Sequence, residues 1–455
     1  MKIGDFGFPV YQKTDSADKV NQMVKSEPYI TGHPDNLIEN YNGKLVFPDS
    51  ESSKIVCRHL AAQYALDVLS NEERGKVKMK DYSNAESICG HVSKDTERYL
   101  HDVFSKSQTV YLINNNDFGS ALIDNFQVME RNGETHRALL LSTHHHVMAV
   151  RLNIKETSKR YYVINFYDPN VTDHTLRCKV DDLALLKSHT LESYINIDYY
   201  YIYYNNNDDY KIMQLYVCEN PGILSERTRN NERKLTPLKG TEPPSLSSYL
   251  LCKLLQNRYF IEVEKRINEM ISQPLMSSDD IYHLLKYCDP LFGPPLFFAL
   301  TQDQFLMVAV LGKLIKLLPE EQRKALLDTT NSLGAPGLFI ALKEGNVRSI
   351  AAYGKLLDLI PENQRAELLD IKNPTQNHGF FQAIKRGDNE TVIAFFDLLK
   401  YLLPSEGDEF ISATDKNGNS LLTLSVKKGG YRNWDKFVAV LDSVKNNSEN
   451  TAGQD

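Results

Sequence analysis

The sequence predicts an α+β domain followed by an all-α array of helical repeats. Three observations predict it. In the first half, short apolar runs read as strands, with a few helical periods between them. Residues 219–247, rich in Pro, Ser, Thr and charge, have no apolar period and read as a linker. The second half repeats itself every 42 residues. A fixed period of that size marks a stacked helical array, in which each unit buries its apolar side against the next.

Composition narrows the function. At 42% hydrophobic and 24% charged residues, the 455-residue chain is ordinary globular material. Its formal net charge of −7 lacks the basic excess that a phosphate backbone demands, which argues against nucleic acid as a partner. No run of 18 apolar residues is present, so no membrane-spanning helix is expected. The start, MKIGDFGFPVYQKTDSADKV, has no continuous apolar stretch of the kind a Sec signal needs. The cysteines, Cys57, Cys89, Cys178, Cys218, Cys252 and Cys288, form no C-x-x-C pair. Reduced thiols in a reducing compartment are the expectation, leaving room for a reactive one.

In chain order, residues 1–45 have weak periodicity and read as a loosely ordered leader. From Ser52 to Leu69, the apolar residues Val56, Leu60, Ala61, Tyr64 and Val68 fall on one helical face, with Ser52 or Ser53 as N-cap. A helix over 94–105, a strand over 109–113 and a helix ending near Asn132-Gly133 follow. RALLLSTHHHVMAVRLNI reads as one long strand, joined through KETSK to YYVINFYD as a hairpin. Strands are also expected over 195–204 and 212–217, which closes a mixed domain at 46–218.

Beyond the linker, residues 248–445 hold the repeats. LFFAL at 296–300 recurs as LFIAL at 338–342 and FFQAI at 380–384, with LLTLSV at 421–426 close to the same frame. GKLIKLLPEEQRKALLD likewise recurs as GKLLDLIPENQRAELLD. The unit reads as helix, Gly turn, helix, Pro-led connection. Gly345, Gly387 and Gly429 stand where a left-handed cap is wanted, and Pro319, Pro361 and Pro404 where a helix cannot continue. DKNGNSLLTLSVKKG resembles the ankyrin signature. The unit is longer than an ankyrin repeat and lacks the Thr-Pro-Leu-His tetrad, so the array is expected to be ankyrin-like. Residues 249–267 read as a degenerate capping repeat.

Three features in the first domain could carry chemistry. Cys57 stands in the first turns of a predicted helix, where the dipole lowers a thiol pKa and favours the reactive thiolate. It also lies on the apolar face, so a buried structural cysteine is the competing reading. His144, His145 and His146 fall on a predicted strand, whose alternation of faces argues against a shared metal. Asp168 belongs to YDPN, a turn signal that needs no catalytic role. The hairpin links the last two. A loop centred on Thr157 sets His146 opposite Asp168, and pairs Met148 with Phe166, Val150 with Ile164 and Leu152 with Tyr162. A carboxylate beside an imidazole holds its ring and tautomer, as a general base requires.

Nucleophile at a helix start, base on a later strand and acid on the adjacent strand is the chain order of papain-like cysteine hydrolases. Papain's CG[SA]C[WY] fingerprint is absent; the cysteine context here is IVCRHLA. With THHHVMAV, FYDPN and the LPEEQR/IPENQR repeats, these residues resemble the Shigella enterotoxin-2 (EspL-like) family of type III secreted effectors. The resemblance covers roughly residues 50 to 440. It implies a papain-like cysteine protease domain with a C-terminal ankyrin-like region. It implies Cys57 as nucleophile, Asp168 as orienting acid and His146 as base, the histidine followed by the short apolar stretch Val147–Val150. It also implies export by a type III system into the host cytoplasm and, in some members, cleavage of host proteins with RIP homotypic interaction motifs in necroptotic and inflammatory signalling.

The mechanism so implied is peptide hydrolysis through a thioester. The Cys57 N–H would be one oxyanion donor; the stretch upstream, Asp49 to Ser53, offers no Gln or Asn as the second, which the sequence leaves unassigned with Ser52 or Ser53 as the nearest candidate. A host protein docked on the repeats and a secretion chaperone at the N-terminus are the expected partners, with no cofactor, no metal and a monomeric chain. A non-catalytic scaffold, and a thioester-forming deamidase, acyltransferase or transglutaminase, are the rival readings.

Overall fold

A computed structural model describes residues 25–32, 39–50, 52–71, 75–143, 146–195, 212–227, 233–273, 276–287, 293–331, 333–370 and 388–403, with isolated positions beyond. The chain divides into two units, Met1–Ser245 and Leu246–Asp455.

In the first unit, the strands are β1 Lys25–Gly32, β2 Leu45–Val46, β3 Lys54–Ile55, β4 Val110–Asn114, β5 His136–Ser142, β6 Val147–Glu156, β7 Arg160–Tyr167, β8 His174–Val180 and β9 Ile212–Val217. The helices are α1 Cys57–Ser70, α2 Ala85–His91, α3 Lys94–Lys106, α4 Phe118–Asn132 and α5 Pro221–Glu226. Seven strands form one antiparallel sheet in the order β1-β8-β7-β6-β5-β9-β4, while β2 and β3 pair as a separate hairpin just before α1.

Both faces of this sheet are covered, which explains why β5 and β6 read as continuous apolar runs and not as clean alternation. Met148, Val150, Leu152 and Ile154 share one face of β6 and belong to the core with Phe118, Leu122, Phe126 and Met129 of α4. On the opposite face lies α1, packed on β5 and β6. Its buried stripe is Leu60, Ala61, Tyr64, Ala65 and Val68, and Tyr64 stacks on Tyr167 of β7 at 4.6 Å between ring centroids. Gly133 ends α4 in the left-handed conformation (φ 69°), as the Asn-Gly pair predicts.

Several expectations need correction. The run expected as one strand breaks at Thr143–His146. There the Thr143 N–H donates to the His146 carbonyl at 2.9 Å, and Ser142 pairs with Val147. His146 therefore lies outside both strands, and the face-alternation reading does not apply to it. His144 and His145 themselves lie outside the described residues.

The β6–β7 register is also offset. Thr157 N–H donates to the Lys159 carbonyl at 3.0 Å, which centres the loop on Ser158. The pairs are accordingly Val150 with Phe166, Leu152 with Ile164 and Ile154 with Tyr162. A slip of two residues leaves every side chain on its predicted face, whereas a slip of one would have reversed them all.

Two strands went unforeseen. β1 lies inside the stretch expected as leader, and β8, HTLRCKV, has too many polar residues to read as a strand. They complete the sheet edge beyond β7. Of the strand expected at 195–204, only Ile195 is described, and it is not in a strand. The stretch expected as linker carries α5 and is bonded to the first unit. Arg227 donates to the Lys106 carbonyl at 2.9 Å, and Thr236 N–H to the Val110 carbonyl at 2.7 Å.

The second unit is a helical array. Its helices are α6 Ser248–Gln256, α7 Phe260–Ser272, α8 Ser278–Lys286, α9 Pro295–Thr301, α10 Phe305–Ile315, α11 Glu320–Leu327, α12 Gly337–Glu344, α13 Val347–Leu357, α14 Glu362–Leu369 and α15 Asn389–Leu399. The stretch expected as a Pro-led connection is itself a short helix, capped by Pro319 in one unit and Pro361 in the next. Pro suits that place because its missing N–H costs nothing before the first helical turn. The degenerate repeat is complete, formed by α6, α7 and α8. Repeat residues beyond 403, including Trp434, and FFQAI at 380–384 lie outside the described residues.

Equivalent side chains join neighbouring units. Arg323 donates to the Leu359 carbonyl at 3.2 Å, and Arg365, its counterpart 42 residues on, to the Tyr401 carbonyl at 3.0 Å. Gln304 reaches back to the Leu255 carbonyl, and its counterpart Asn346 to those of Leu300 and Thr301. These bonds give the LPEEQR/IPENQR pattern its physical meaning, since the arginine ties off carbonyls that a helix end leaves unpaired.

The joint between the first two helices of each unit is left-handed at Arg258 (φ 58°), Asp303 (φ 50°) and Gly345 (φ 81°). Only Gly345 takes that conformation without steric cost. Gly345→Ala is therefore expected to lower stability by about 1 kcal/mol, and Asp303→Gly to lower it as well, because the relieved backbone comes with the loss of the Asp303 carboxylate that accepts from the Ser349 N–H and hydroxyl. Chemical denaturation of the full chain, followed by helical circular dichroism, measures both.

Candidate active site

Cys57 is the first residue of α1, so its thiol feels the positive end of the helix dipole. Neither Ser52 nor Ser53 caps this helix. The N-cap is Val56, with extended backbone, and the His59 ring turns back so that its Nδ1 accepts the Val56 N–H at 3.1 Å. Ser52 and Ser53 are exposed in the turn between β2 and β3, where the Ser50 hydroxyl accepts the Ser53 N–H at 3.0 Å. His59 is buried against the edge of Phe47, and burial pushes its pKa down to about 4, with the Arg58 charge adding to the effect. It is thus a neutral cap at physiological pH. Sequence inspection missed this role, although a His at the third position of a helix lacking Ser, Thr, Asp or Asn before it is a usable signal.

The hairpin turn at 143–146 brings His146 to the thiol. Both the N–H and the hydroxyl of Thr143 donate to the His146 carbonyl, fixing its backbone. His146 Nε2 and Asp168 Oδ1 lie 2.8 Å apart. Since Nε2 serves the carboxylate, Nδ1 is the ring nitrogen left for the Cys57 sulfur, to which the ring is hydrogen-bonded. Extending the observed register sets His146 diagonal to Asp168, a separation that an imidazole can bridge.

Asp168 forms the turn and serves the histidine with the same oxygen. Its Oδ1 also accepts the Asn170 N–H at 2.9 Å, closing the Asp-Pro-Asn turn. The turn-forming and imidazole-orienting readings of this residue are thus one geometry.

Electrostatics follow. Burial pushes the Cys57 thiol up, but the hydrogen bond from His146, its charge and the N–H groups of Val147 and Arg58 outweigh that and hold it below the ordinary thiol range. Burial pushes His146 down, but the Asp168 bond and charge, joined by Cys57, outweigh it and hold the imidazole above its ordinary range. Both shifts favour a thiolate–imidazolium pair. Cys178 and Cys218, by contrast, are pushed up to about 12 by burial. His146 is 6% exposed and Asp168 8%, while Cys57 is only partly buried. His146 and Asp168 are shielded from bulk water, while the residue that carries the thiol reaches the surface in part.

The described residues thus bring Cys57, His146 and Asp168 into one chain of hydrogen bonds. Residues 9–287, more than half of the sequence, match the family described as ShET2 enterotoxin, N-terminal region. The chain belongs to the ShET2 enterotoxin family.

Two curated relatives add to this. Ankyrin repeat protein A of Escherichia coli K12 is 33% identical over 199 residues, 43% of this chain and 27% of that protein. Effector protease OspD3 of Shigella flexneri is 30% identical over 186 residues, 40% of this chain and 32% of that protein. The matched stretches span about a third or less of each relative's length. Membership in the ShET2 family agrees with the resemblance carried by IVCRHLAAQYAL, THHHVMAV and FYDPN. No described helix is long and apolar enough to cross a membrane.

Proposed function

We propose that this ShET2-family chain is a secreted effector protease of the papain-like cysteine class, acting through Cys57, His146 and Asp168. One observation carries the reading: the thiol of a partly exposed residue at a helix start is bonded to a buried imidazole that also meets a buried carboxylate. The relative named Effector protease OspD3 supports the reaction class.

The Cys57 thiolate attacks the scissile carbonyl, forming a tetrahedral intermediate that collapses to a thioester. His146 gives its proton to the leaving amine and then takes one from the water that hydrolyses the thioester. Asp168 orients the ring and stabilises its charged form. The Cys57 N–H, at a helix start with no intrahelical partner to serve, is one oxyanion donor. The repeats form an ankyrin-like surface that recruits a host protein; the relative named Ankyrin repeat protein A supports that part. Type III export, aided by a chaperone at the N-terminus, places the monomeric enzyme in the host cytoplasm. Its substrates there are signalling proteins such as those bearing RIP homotypic interaction motifs.

The test is profiling of new protein termini in host lysate treated with the wild-type chain or with Cys57→Ala. Termini produced only by the wild type are expected. A gain of about one dalton on glutamine without new termini would replace protease by deamidase. Identical profiles, with host proteins still captured, would leave a scaffold. The thiol itself is checked without substrate: iodoacetamide near pH 6 is expected to label Cys57 well ahead of Cys178 and Cys218.

A further inference from the structure

The segment just before the β2–β3 hairpin contacts both halves of the site. On one side, the Gly43 N–H donates to the Ile55 carbonyl at 2.9 Å, two residues before Cys57. On the other, the segment lies along the turn that carries the acid. Tyr41 N–H donates to the Thr172 hydroxyl at 3.0 Å, and Thr172 N–H to the Glu39 carbonyl at 2.9 Å. The Thr172 hydroxyl in turn donates to the Pro169 carbonyl at 2.9 Å.

Asn42 sits between these contacts. Its Nδ2 donates to Asn170 Oδ1 at 2.8 Å. The Asn170 N–H donates to Asp168 Oδ1, the oxygen that meets His146 Nε2. Asn42 is held in its turn, its own N–H donating to Asn40 Oδ1 at 2.9 Å. Gly43, at φ +73°, lets the chain turn from this contact toward Ile55.

We propose that Asn42 is a positioning residue: through Asn170 it fixes the orientation of the Asp168 carboxylate, and its strap, residues 39–43, ties that carboxylate's turn to the start of the nucleophile helix. The inference rests on the triad reading above. A carboxylate turn free to tilt would still be charged, but would meet the imidazole at a poorer angle, and a small misplacement of this kind is costly in rate. The imidazolium would then be less well stabilised, and the thiolate with it.

The test uses iodoacetamide and the full chain, so no substrate is needed. The rate of Cys57 alkylation is followed from acid to alkaline pH in the wild type, Asn42→Ala, Asn42→Asp, Asn170→Ala, the Asn42→Ala/Asn170→Ala double variant and Asp168→Ala. In Asn42→Ala the onset of fast alkylation is expected to move to higher pH, with the rate near pH 6 falling on the order of tenfold. Asn42→Asp, which keeps the shape and loses the donor, should behave alike. The double variant should be no worse than Asn170→Ala alone, because the bond from Asn42 is already gone there.

A profile in Asn42→Ala and Asn42→Asp that overlays the wild type, while Asp168→Ala shifts, would overturn the positioning role and leave the triad standing. A wild type without accelerated alkylation at low pH would instead overturn the triad reading itself. Should Asn42→Ala fail to fold, judged by its thermal transition, Asn42→Asp and Asn170→Ala decide.

Discussion

Cys57→Ala is expected to reduce peptide cleavage by on the order of 10⁴-fold or more, with the fold intact. In the proposed mechanism the sulfur forms the covalent intermediate, and Cys57 is the described cysteine bonded to His146, so the loss is large. Cys178 and Cys218 are buried, and burial pushes both up to about 12, so neither offers a thiolate at neutral pH. The structural cost is small. Cys57 is the first residue of α1 and partly exposed, so alanine there leaves no cavity in the stripe formed by Leu60, Tyr64 and Val68. Thermal unfolding of Cys57→Ala should therefore lie close to the wild type while turnover of a newly identified host substrate disappears. Cys57→Ser separates nucleophilicity from space-filling. The hydroxyl occupies the same place but has no accessible anion, so it should be nearly as inactive. Cleavage that survives in both variants would remove Cys57 from the mechanism.

How much of this was legible in the sequence differs by residue. The helix that carries Cys57 was readable because the spacing of Val56, Leu60, Ala61, Tyr64 and Val68 exceeds what a strand would give, although its cap was placed at Ser52 or Ser53 and stands at Val56. That cap was not readable, because a histidine ring took the place of the short polar side chain that cap rules look for. The meeting of His146 with Asp168 was legible through a register two residues out, since period-two alternation kept both on the same side. What failed was the local structure of His146, read as strand when it ends a turn. Propensity alone could not see that Thr143 would bond its carbonyl. β8 was illegible for a related reason. Thr175, Arg177 and Lys179 dilute its apolar pattern, and only the pairing with β7 and β1 makes it a strand. Asn42 and Asn170, 128 residues apart, were out of reach, because a contact between two short polar side chains leaves no period to read. The repeats were the clearest feature, since a period of 42 is independent of any propensity, although the third helix hid behind Pro319 in one unit and Pro361 in the next.

Asp168→Asn is expected to lower kcat/KM at neutral pH by on the order of 10²–10⁴-fold and to narrow the pH range of activity from both sides. In the wild type, two opposite shifts set that range. Cys57, held below the ordinary thiol range, becomes thiolate at unusually low pH, and His146, held above the ordinary imidazole range, keeps its proton to unusually high pH. Activity should thus rise with pH as Cys57 ionises, stay level through neutrality, and fall only as His146 deprotonates. Asparagine preserves the volume and an oxygen able to accept from His146 and from the Asn170 N–H, so the turn should survive. The negative charge is gone, however. Burial, which already pushes His146 down, then meets less opposition, and the imidazole loses its proton at lower pH. A neutral imidazole in turn no longer stabilises the Cys57 thiolate, so the thiol ionises at higher pH. The two limbs approach each other, and at neutral pH fewer molecules hold the reactive ion pair. A pH–rate profile of the variant with unchanged limbs and a uniformly lower plateau would show that Asp168 only shapes the turn. Limbs drawn inward would show that its charge sustains the pair.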